Sequence, residues 1–461
     1  MKKNVFFLTI DGLRADKFEG NDKSAITPNL DSLRKKGSYF SQAISCADGT
    51  TLSLNAMFTS KFPFRTGTRA EKIILEDNNY FDIIKKSEYH IYGFVPDTLA
   101  FSKFLNYCEN DNAGYYYTRN RRLLNFEGIL EGLGEKMIDF LSSNKMKEPW
   151  FFFTHTIDLH FPLVVPEEFN DEKFGKSKYE KILSSIDEWI GQTIKKIDFS
   201  NTLIILTADH GSIIPEGDVG YTDLEPEMKT ELKIGKKIMP KSTHKFGAKM
   251  IMGVKNRIRD SRLKQANKGL TAYQIRSRLP YFRLTLFDEA IRVPLLFVSD
   301  NISANRISQQ VTNVDIFPTI LDIIGIDYSI PKDRDGRSLV PFFSSQKIEE
   351  KSVYLHTIPY VEKSIHDKVG IRTSKYKYFR HARQSKENVS LYDLENDPQE
   401  NNNIASDNLE IVKEMEEILG HYTRNSNVET NSKIDSKRLS KIQDELRLLG
   451  YKKTWKENFE K

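Results

Sequence analysis

Four side chains able to act as nucleophiles, Cys46, Thr50, Thr51 and Ser53, fall within eight positions of one another in SCADGTTLSLNAMFTSKFPFRTG (45–67). Each could form a covalent intermediate with a substrate if a neighbouring group activated it. The stretch reads as a turn-rich loop running into a short helix and a second turn. Elsewhere, acids and imidazoles gather at the ends of apolar runs: Asp11 after NVFFLTI (4–10), Asp158 and His160 after WFFFTHTI (150–157), Asp209 and His210 after TLIILTA (202–208).

Those runs, with HIYGFV (90–95) and VPLLFVS (293–299), are continuous rather than alternating, the pattern of strands buried on both faces of a parallel sheet. Helical patterns lie between them. In TPNLDSLRKKG, Thr27 is placed as N-cap, Pro28 at the first helical position and Gly37 as the stop. Strands alternating with helices predict a doubly wound α/β sheet. In open α/β sheets the site lies at the carboxyl edge of the strands, and three separate strands deliver Asp or His there.

The chain has 461 residues, 39% hydrophobic and 11% aromatic, enough for one large domain with a smaller appendage. The net charge of +5, from 69 basic and 64 acidic residues, is too small to predict a nucleic-acid or membrane partner. Two cysteines, Cys46 and Cys108, imply no disulfide framework. The apolar stretch before Asp11 is short for a signal peptide and no run approaches a membrane span, so a cytoplasmic protein without a membrane anchor is expected. Between 251 and 283, nine Lys or Arg face the single acid Asp260, either a solvated helical face or a positive lid for an anionic substrate. After about residue 346, VYLHTI, VGIRTSKYKYFR and NVSLYDL read as strands of a smaller C-terminal subdomain, and SKIQDELRLLGY as a closing polar helix. The expected division is a catalytic domain over 1–345, with the basic insert at about 214–283, and the subdomain over 346–461.

The order and spacing of LTIDGLRAD (8–16), TPNLDSLRKKGSYF (27–40), FTSKFPFRTG (58–67), TADHG (207–211), LFDEAIRVPLLF (286–297), VTNVDIFPTILDIIGI (311–326), DGRSL (335–339) and SLYDLENDPQENNNIA (390–405) resemble the sulfatase branch of the alkaline phosphatase superfamily. The resemblance implies an alkaline phosphatase-like α/β/α sandwich with a small C-terminal α+β subdomain. Counting back from FTSKFPFRTG, it places the family nucleophile at Thr50. Sulfatases need cysteine or serine there, with proline two places on and arginine four places on, for conversion to formylglycine; this chain has Thr50, Leu52 and Leu54. Counted from Cys46, the same positions hold Asp48 and Thr50, so that frame fails as well.

The formylglycine hydrate releases sulfate by elimination, which a threonine cannot do. A threonine alkoxide can attack phosphorus, leaving a phosphothreonine that water or an acceptor alcohol resolves. Threonine is also the nucleophile of the family's phosphoglycerol and phosphoethanolamine transferase branch. The family's G-K-W-H anion-binding segment is replaced here by YGFVPDTLA (92–100).

By the same resemblance one divalent metal is held by Asp11, Thr50, Asp209 and His210. Three oxygens and an imidazole suit Mn²⁺, Zn²⁺ or Mg²⁺ better than Ca²⁺. Many sulfatases carry a second Asp after the first; here it is Gly12. His160 matches the histidine that contacts the transferred group, and Arg283 stands in the place of a substrate-binding lysine. His244, in KSTHKFG, is a weaker substrate-binding candidate. His155 lies inside an apolar run and reads as a core histidine or one that supports a ligand. DGRSL and SLYDLENDPQ read as structural turns.

These features predict a metal-dependent hydrolase or phosphotransferase acting on phosphate mono- or diesters through Thr50. The expected substrate is an anionic small molecule or a glycan-linked ester. The alternatives are a sulfuric ester hydrolase working without formylglycine and a catalytically silent binding protein on the same scaffold.

Overall fold

NVFFLTI forms strand β1 (Asn4–Ile10), buried at every position, as a strand covered on both faces requires. The computed structural model describes residues 2–70, 72–120, 123–126, 128–160, 163–214, 257–258, 260–277, 285–327, 333–344, 346, 348–357, 367–382 and 388–424. Two units divide the chain: Met1–Ser212 with Leu284–Pro398 and Asn403–Lys461, and Ile213–Arg283 with Gln399–Asn402.

In the first unit β1 is followed by α1 (Pro28–Lys36), β2 (Ser38–Ile44), α2 (Thr50–Thr59), β3 (His90–Pro96), β4 (Gly114–Tyr115), α3 (Leu133–Ser142), β5 (Trp150–Thr156), α4 (Lys178–Ile194) and β6 (Thr202–Thr207). Then come β7 (Arg292–Val298), β8 (Asn305–Ile307), β9 (Val311–Thr312) and α5 (Ile316–Ile323). The nine strands make one sheet in the order β8-β2-β7-β6-β1-β5-β3-β4, with β9 also on β2. At its centre β1 runs parallel to β5 and β6, with Thr9 opposite both His155 and Thr207. VPLLFVS departs from the expected parallel sheet: β7 is antiparallel to β2 and to β6. A strand buried on both faces reads the same in either direction, so the apolar run does not encode its polarity.

Strand β2, SYFSQAI, has no apolar run to betray it. It is buried all the same, because Ser38 and Ser41 donate their hydroxyls to the carbonyls of Ser303 and Ile307 at 2.8 and 3.2 Å.

Alternation along β1 separates the two faces. Phe6 stacks on Phe152 at 5.5 Å, and Phe140 of α3 packs on Phe94 and Phe152. Leu33 of α1 and Trp189 of α4 line the same face with Phe6 and Leu8. Phe7 points the other way, to Phe151, Phe153 and Phe317, where Phe58 of α2 meets Phe153 and Phe317. Helices α1, α3 and α4 therefore cover one face, and α2 and α5 the other, the α/β/α sandwich expected.

Thr27 is the N-cap residue of α1 but makes no capping hydrogen bond. Asp187 of α4 does that work, accepting the N–H groups of Asn29 and Leu30 at 3.1 and 2.7 Å. A cap supplied from another helix leaves no local sequence signal.

The C-terminal strands form a four-stranded antiparallel sheet, β10 (Val353–His356), β11 (Lys368–Arg372), β12 (Tyr376–His381) and β13 (Ser390–Asp393), followed by α6 (Leu409–Thr423). Its core residues Leu355, Ile371 and Leu391 join one buried cluster with Ile44, Leu52 and Ile291. The DGRSL turn is structural: Asp335 accepts the Phe62 N–H at 2.8 Å and pairs with Arg65 at 2.7 Å. A side chain on Gly336 would bring its Cβ within 2.0 Å of the Val314 carbonyl oxygen. In the second unit a short helix, Ala272–Ser277, is anchored by Arg276, which donates to the Glu400 carbonyl at 3.0 Å. SKIQDELRLLGY lies outside the described residues.

Candidate active site

The alternation that sorts the phenylalanines also aims the site residues. Thr9, His155 and Thr207 are in register, so Asp11 and Asp209, two places on from Thr9 and Thr207, share the face of His155. That is the face against which α2 packs, and Thr50 begins α2. Gly49 is its N-cap residue, so Thr50 opens the helix rather than capping it, and its hydroxyl is left for other partners.

The four candidate nucleophiles separate cleanly. Cys46 is fully buried, and burial pushes its thiol up to about 12. Thr51 donates to the Ala70 carbonyl at 3.2 Å. Ser53, also fully buried, is 2.8 Å from Ser45 Oγ and donates to the Ala47 carbonyl at 3.1 Å. Thr50 alone of the four is half-buried, and its Oγ1 donates to Asp11 Oδ2 at 3.4 Å and lies 3.3 Å from His210 Nε2.

Asp209 is fully buried. Its Oδ1 accepts the N–H groups of His210 and Gly12 at 2.8 and 3.3 Å. Its Oδ2 accepts no hydrogen bond among the described residues and stands 3.4 Å from His210 Nε2. Burial, then the nearby Asp11 charge, raises the Asp209 carboxyl above the ordinary carboxylate range. Burial works against protonation of His210, but Asp209 and Asp11 outweigh it and raise its pKa. The His210 Nδ1–H donates to the Gly211 carbonyl at 2.6 Å, which turns Nε2 toward Thr50 and the carboxylates.

His155, expected as a core histidine or one that supports a ligand, lies beside Asp11. It is fully buried, with Nε2 3.4 Å from Asp11 Oδ2 and its ring 5.2 Å from that of Phe101. Donor atoms of Asp11, His155 and Asp209 lie within 4.8 Å of one another, a buried set able to bind one divalent ion. Two carboxylates and an imidazole around an unmatched Asp209 oxygen are chemically suited to such an ion. The signal was present in the register of β5: His155 is two places from Phe153, on the face that carries Asp11.

Asp158 has a different task from its strand-end neighbours. Its carboxylate accepts the N–H groups of Ile129 and Leu130 at 3.2 and 3.3 Å and so caps the turn Ile129–Glu131. His160 is buried in the turn after β5, its backbone N–H on the Ile157 carbonyl at 3.0 Å. Arg283 and His244 lie outside the described residues, as does most of the basic insert.

A family model described as Sulfatase matches residues 3–326. The chain belongs to the sulfatase family. A second model, N-sulphoglucosamine sulphohydrolase, C-terminal, matches residues 281–425. Over 146 residues this sulfatase-family chain is 30% identical to arylsulfatase K of Mus musculus, a match covering 30% of this chain and 26% of that protein. It thus spans about a quarter of the length of the arylsulfatases K that it matches. Among solved structures, Ps i-CgsB in complex with k-i-k-neocarrahexaose aligns with a TM-score of 0.65 at 15% identity over 98% of both chains. The phosphonate monoester hydrolase SpPMH from Silicibacter pomeroyi aligns with a TM-score of 0.64 at 16% identity, covering 92% of this chain and 96% of that one. At such identities the likeness establishes the fold. Among the described residues no helix is long and apolar enough to cross a membrane.

Proposed function

We propose that this sulfatase-family chain is a metal-dependent hydrolase or transferase of phosphate esters that uses Thr50 as its nucleophile. The observation that carries the reading is the half-buried Thr50 hydroxyl, 3.4 Å from Asp11 Oδ2 and 3.3 Å from His210 Nε2. Asp11, Asp209 and His210 would hold the ion beside Thr50, with His155 as a further donor from the same buried group. A divalent ion there supplies Lewis acidity, favouring loss of the Thr50 hydroxyl proton and charge on the transferred group.

Thr50 Oγ, its proton given up to solvent, bonds to phosphorus while the bond from phosphorus to the ester oxygen breaks, and that oxygen takes a proton for which His160 is the candidate donor. Water or an acceptor alcohol, passing its proton back to His160, then bonds to phosphorus; the Oγ–phosphorus bond breaks and Thr50 Oγ regains a proton from solvent. Arg283 would neutralise charge on the transferred group. With a divalent ion offsetting the Asp11 and Asp209 charges, the site would take a small anionic ester or a glycan-linked one, and the solved relative with a bound neocarrahexaose supports the second. A sulfate ester is the second reading, favoured by the arylsulfatase relatives.

The test is turnover of an aryl phosphate monoester, an aryl phosphodiester and an aryl sulfate, each with Mn²⁺, Zn²⁺, Mg²⁺ or Ca²⁺ and an EDTA control. The expected result is chelator-sensitive phosphoester turnover that Thr50→Ala lowers by at least about 10³-fold, the scale on which losing a nucleophile acts. Sulfate turnover alone, or full activity in Thr50→Ala, would refute the reading.

A further inference from the structure

We propose that Asn313 is a positioning residue for Thr50, holding the loop 45–49 and the first turn of α2 so that the hydroxyl stays aimed at Asp11 and His210. The inference rests on the reading of Thr50 as nucleophile. The N-cap residue before Thr50 is Gly49, with no side chain to hold the helix start, so the direction of the Thr50 side chain depends on how the backbone on either side of it is held.

That backbone is clamped from one short segment. Strand β9 pairs with the end of β2, Val311 opposite Ala43 and Thr312 opposite Ile44, so the chain continues with Asn313 alongside Ser45. Asn313 is 3% exposed. Its Oδ1 accepts the Cys46 N–H at 3.3 Å, and its Nδ2 donates to the Ser53 carbonyl at 3.0 Å. One side chain thereby ties the limb four residues before Thr50 to the turn three residues after it. Because the Cys46 N–H only donates and the Ser53 carbonyl only accepts, they fix which end of the amide faces which limb, and the Thr312 hydroxyl adds a bond to Asn313 Oδ1 at 3.2 Å. The Ser45 and Ser53 hydroxyls, 2.8 Å apart, both donate to the Ala47 carbonyl and close the loop from within. On the outer side the His356 N–H donates to the Cys46 carbonyl at 2.9 Å. At the far end of α2, Ser60 Oγ donates to the Val314 carbonyl at 2.6 Å, so the same segment fixes both ends of the helix.

A misplacement of about 1 Å in a reacting group can cost on the order of 10²-fold in rate, and the Thr50 contacts, long at 3.3 to 3.4 Å, hold its hydroxyl weakly, so its aim depends on the backbone that carries it. The experiment compares orthovanadate, which takes the five-coordinate geometry of phosphoryl transfer with an oxygen nucleophile, with inorganic phosphate, which does not. Both are titrated by calorimetry into the full chain with added Mn²⁺. The control is Thr319→Val: Thr319, in the neighbouring helix α5, is fully buried, and its hydroxyl donates to the Asp315 carbonyl and accepts the Leu339 N–H, bonds that do not involve residues 45–53.

Asn313→Ala is expected to weaken vanadate roughly 10- to 100-fold while phosphate stays within about twofold, and Thr319→Val to leave the ratio of the two affinities unchanged. Asn313→Asp keeps the Oδ1 acceptor and loses the donor to Ser53; it is expected to lie between wild type and Ala, and it carries the same test if Asn313→Ala does not fold. An unchanged ratio in the Asn313 variants, or an equal fall in Thr319→Val, overturns the positioning role. Thr50→Ala separates the two readings: if it leaves the vanadate-to-phosphate ratio at the wild-type value, the nucleophile assignment itself falls.

Discussion

Asp288→Ala should be among the most destabilising single changes in the chain. Arg372 approaches the Asp288 carboxylate through Nε at 3.0 Å and Nη2 at 2.8 Å, and Lys377 donates to the same group. The Arg372 and Lys377 side chains are 3% and 0% exposed. Arg292 adds a third cation at 3.6 Å. Removing one partner of a buried ion pair costs about 3–5 kcal/mol, because the other charge stays buried and uncompensated. Two buried cations depend on Asp288, so the upper end, about 5 kcal/mol, is expected, a third or more of a typical stability of about 5–15 kcal/mol. Urea unfolding monitored by tryptophan fluorescence measures it. Burial would raise the Asp288 carboxyl, but Arg372 and Lys377 hold it far below the usual range. The native state therefore binds fewer protons than the unfolded one in acid, so the contribution is fully present above the unfolded value near 4 and is lost as pH falls below it. The gap between wild type and variant should stay flat from about pH 8 to about pH 5 and narrow only below about pH 4. A loss under about 1 kcal/mol, the size of an exposed pair, would refute the reasoning, as would a gap that closes above pH 6.

Asp315 behaves in the opposite sense. Burial raises its carboxyl to about 6 despite N–H donation from Arg337 and Thr312, so stability should fall as pH rises from about 4 to about 6, by roughly 3 kcal/mol in all. Asp315→Asn, whatever constant loss it brings, should lack that slope in urea unfolding across the interval. Phe58→Ala opens a cavity among Phe81, Phe104, Phe153 and Phe317 and should cost about 3–5 kcal/mol in the same assay; under 1 kcal/mol would mean the ring is not the keystone between α2 and the sheet. Gly12 has φ +74°, and an added Cβ would meet nothing closer than 3.6 Å, so Gly12→Ala should lose about 1 kcal/mol through backbone strain alone. A neutral Gly12→Ala would contradict that backbone conformation.

The sheet-edge site was legible because β1, β5 and β6 are apolar runs that stop at Asp11, Ile157 and Asp209, and any parallel arrangement of such strands brings their ends together. Thr50 was singled out by counting back from FTSKFPFRTG on the family resemblance; in the structure it is the half-buried one of the four, whereas Cys46 and Ser53 are fully buried and Thr51 donates to the Ala70 carbonyl. What stayed hidden depends on partners distant in sequence. The direction of β7, the tertiary cap that Asp187 supplies to α1, and the capping task of Asp158 are decided by which element lies next door, information that no local window contains. His155 is the instructive case, since its apolar neighbours left it open between a core histidine and one that supports a ligand. Only register, Thr9 beside His155, converts that buried position into one facing Asp11.

The loop after β1 shows how a missing side chain can be replaced by backbone. Where many family members carry a second carboxylate, Gly12 takes a left-handed conformation and points its N–H at Asp209 Oδ1. Tyr179 Oη donates to the Gly12 carbonyl at 2.8 Å and accepts the Arg14 N–H at 3.0 Å, which fixes the turn in that form. With Oδ1 occupied by the N–H groups of Gly12 and His210, the remaining oxygen of Asp209 is the one turned to the cluster of Asp11, His155 and His210. The glycine thus removes one anionic donor and orients another. The two loops 45–49 and 11–14 are each held by side chains outside the Asp11, His155 and Asp209 group: Asn313, Ser45 and Ser53 for the first, Tyr179 for the second.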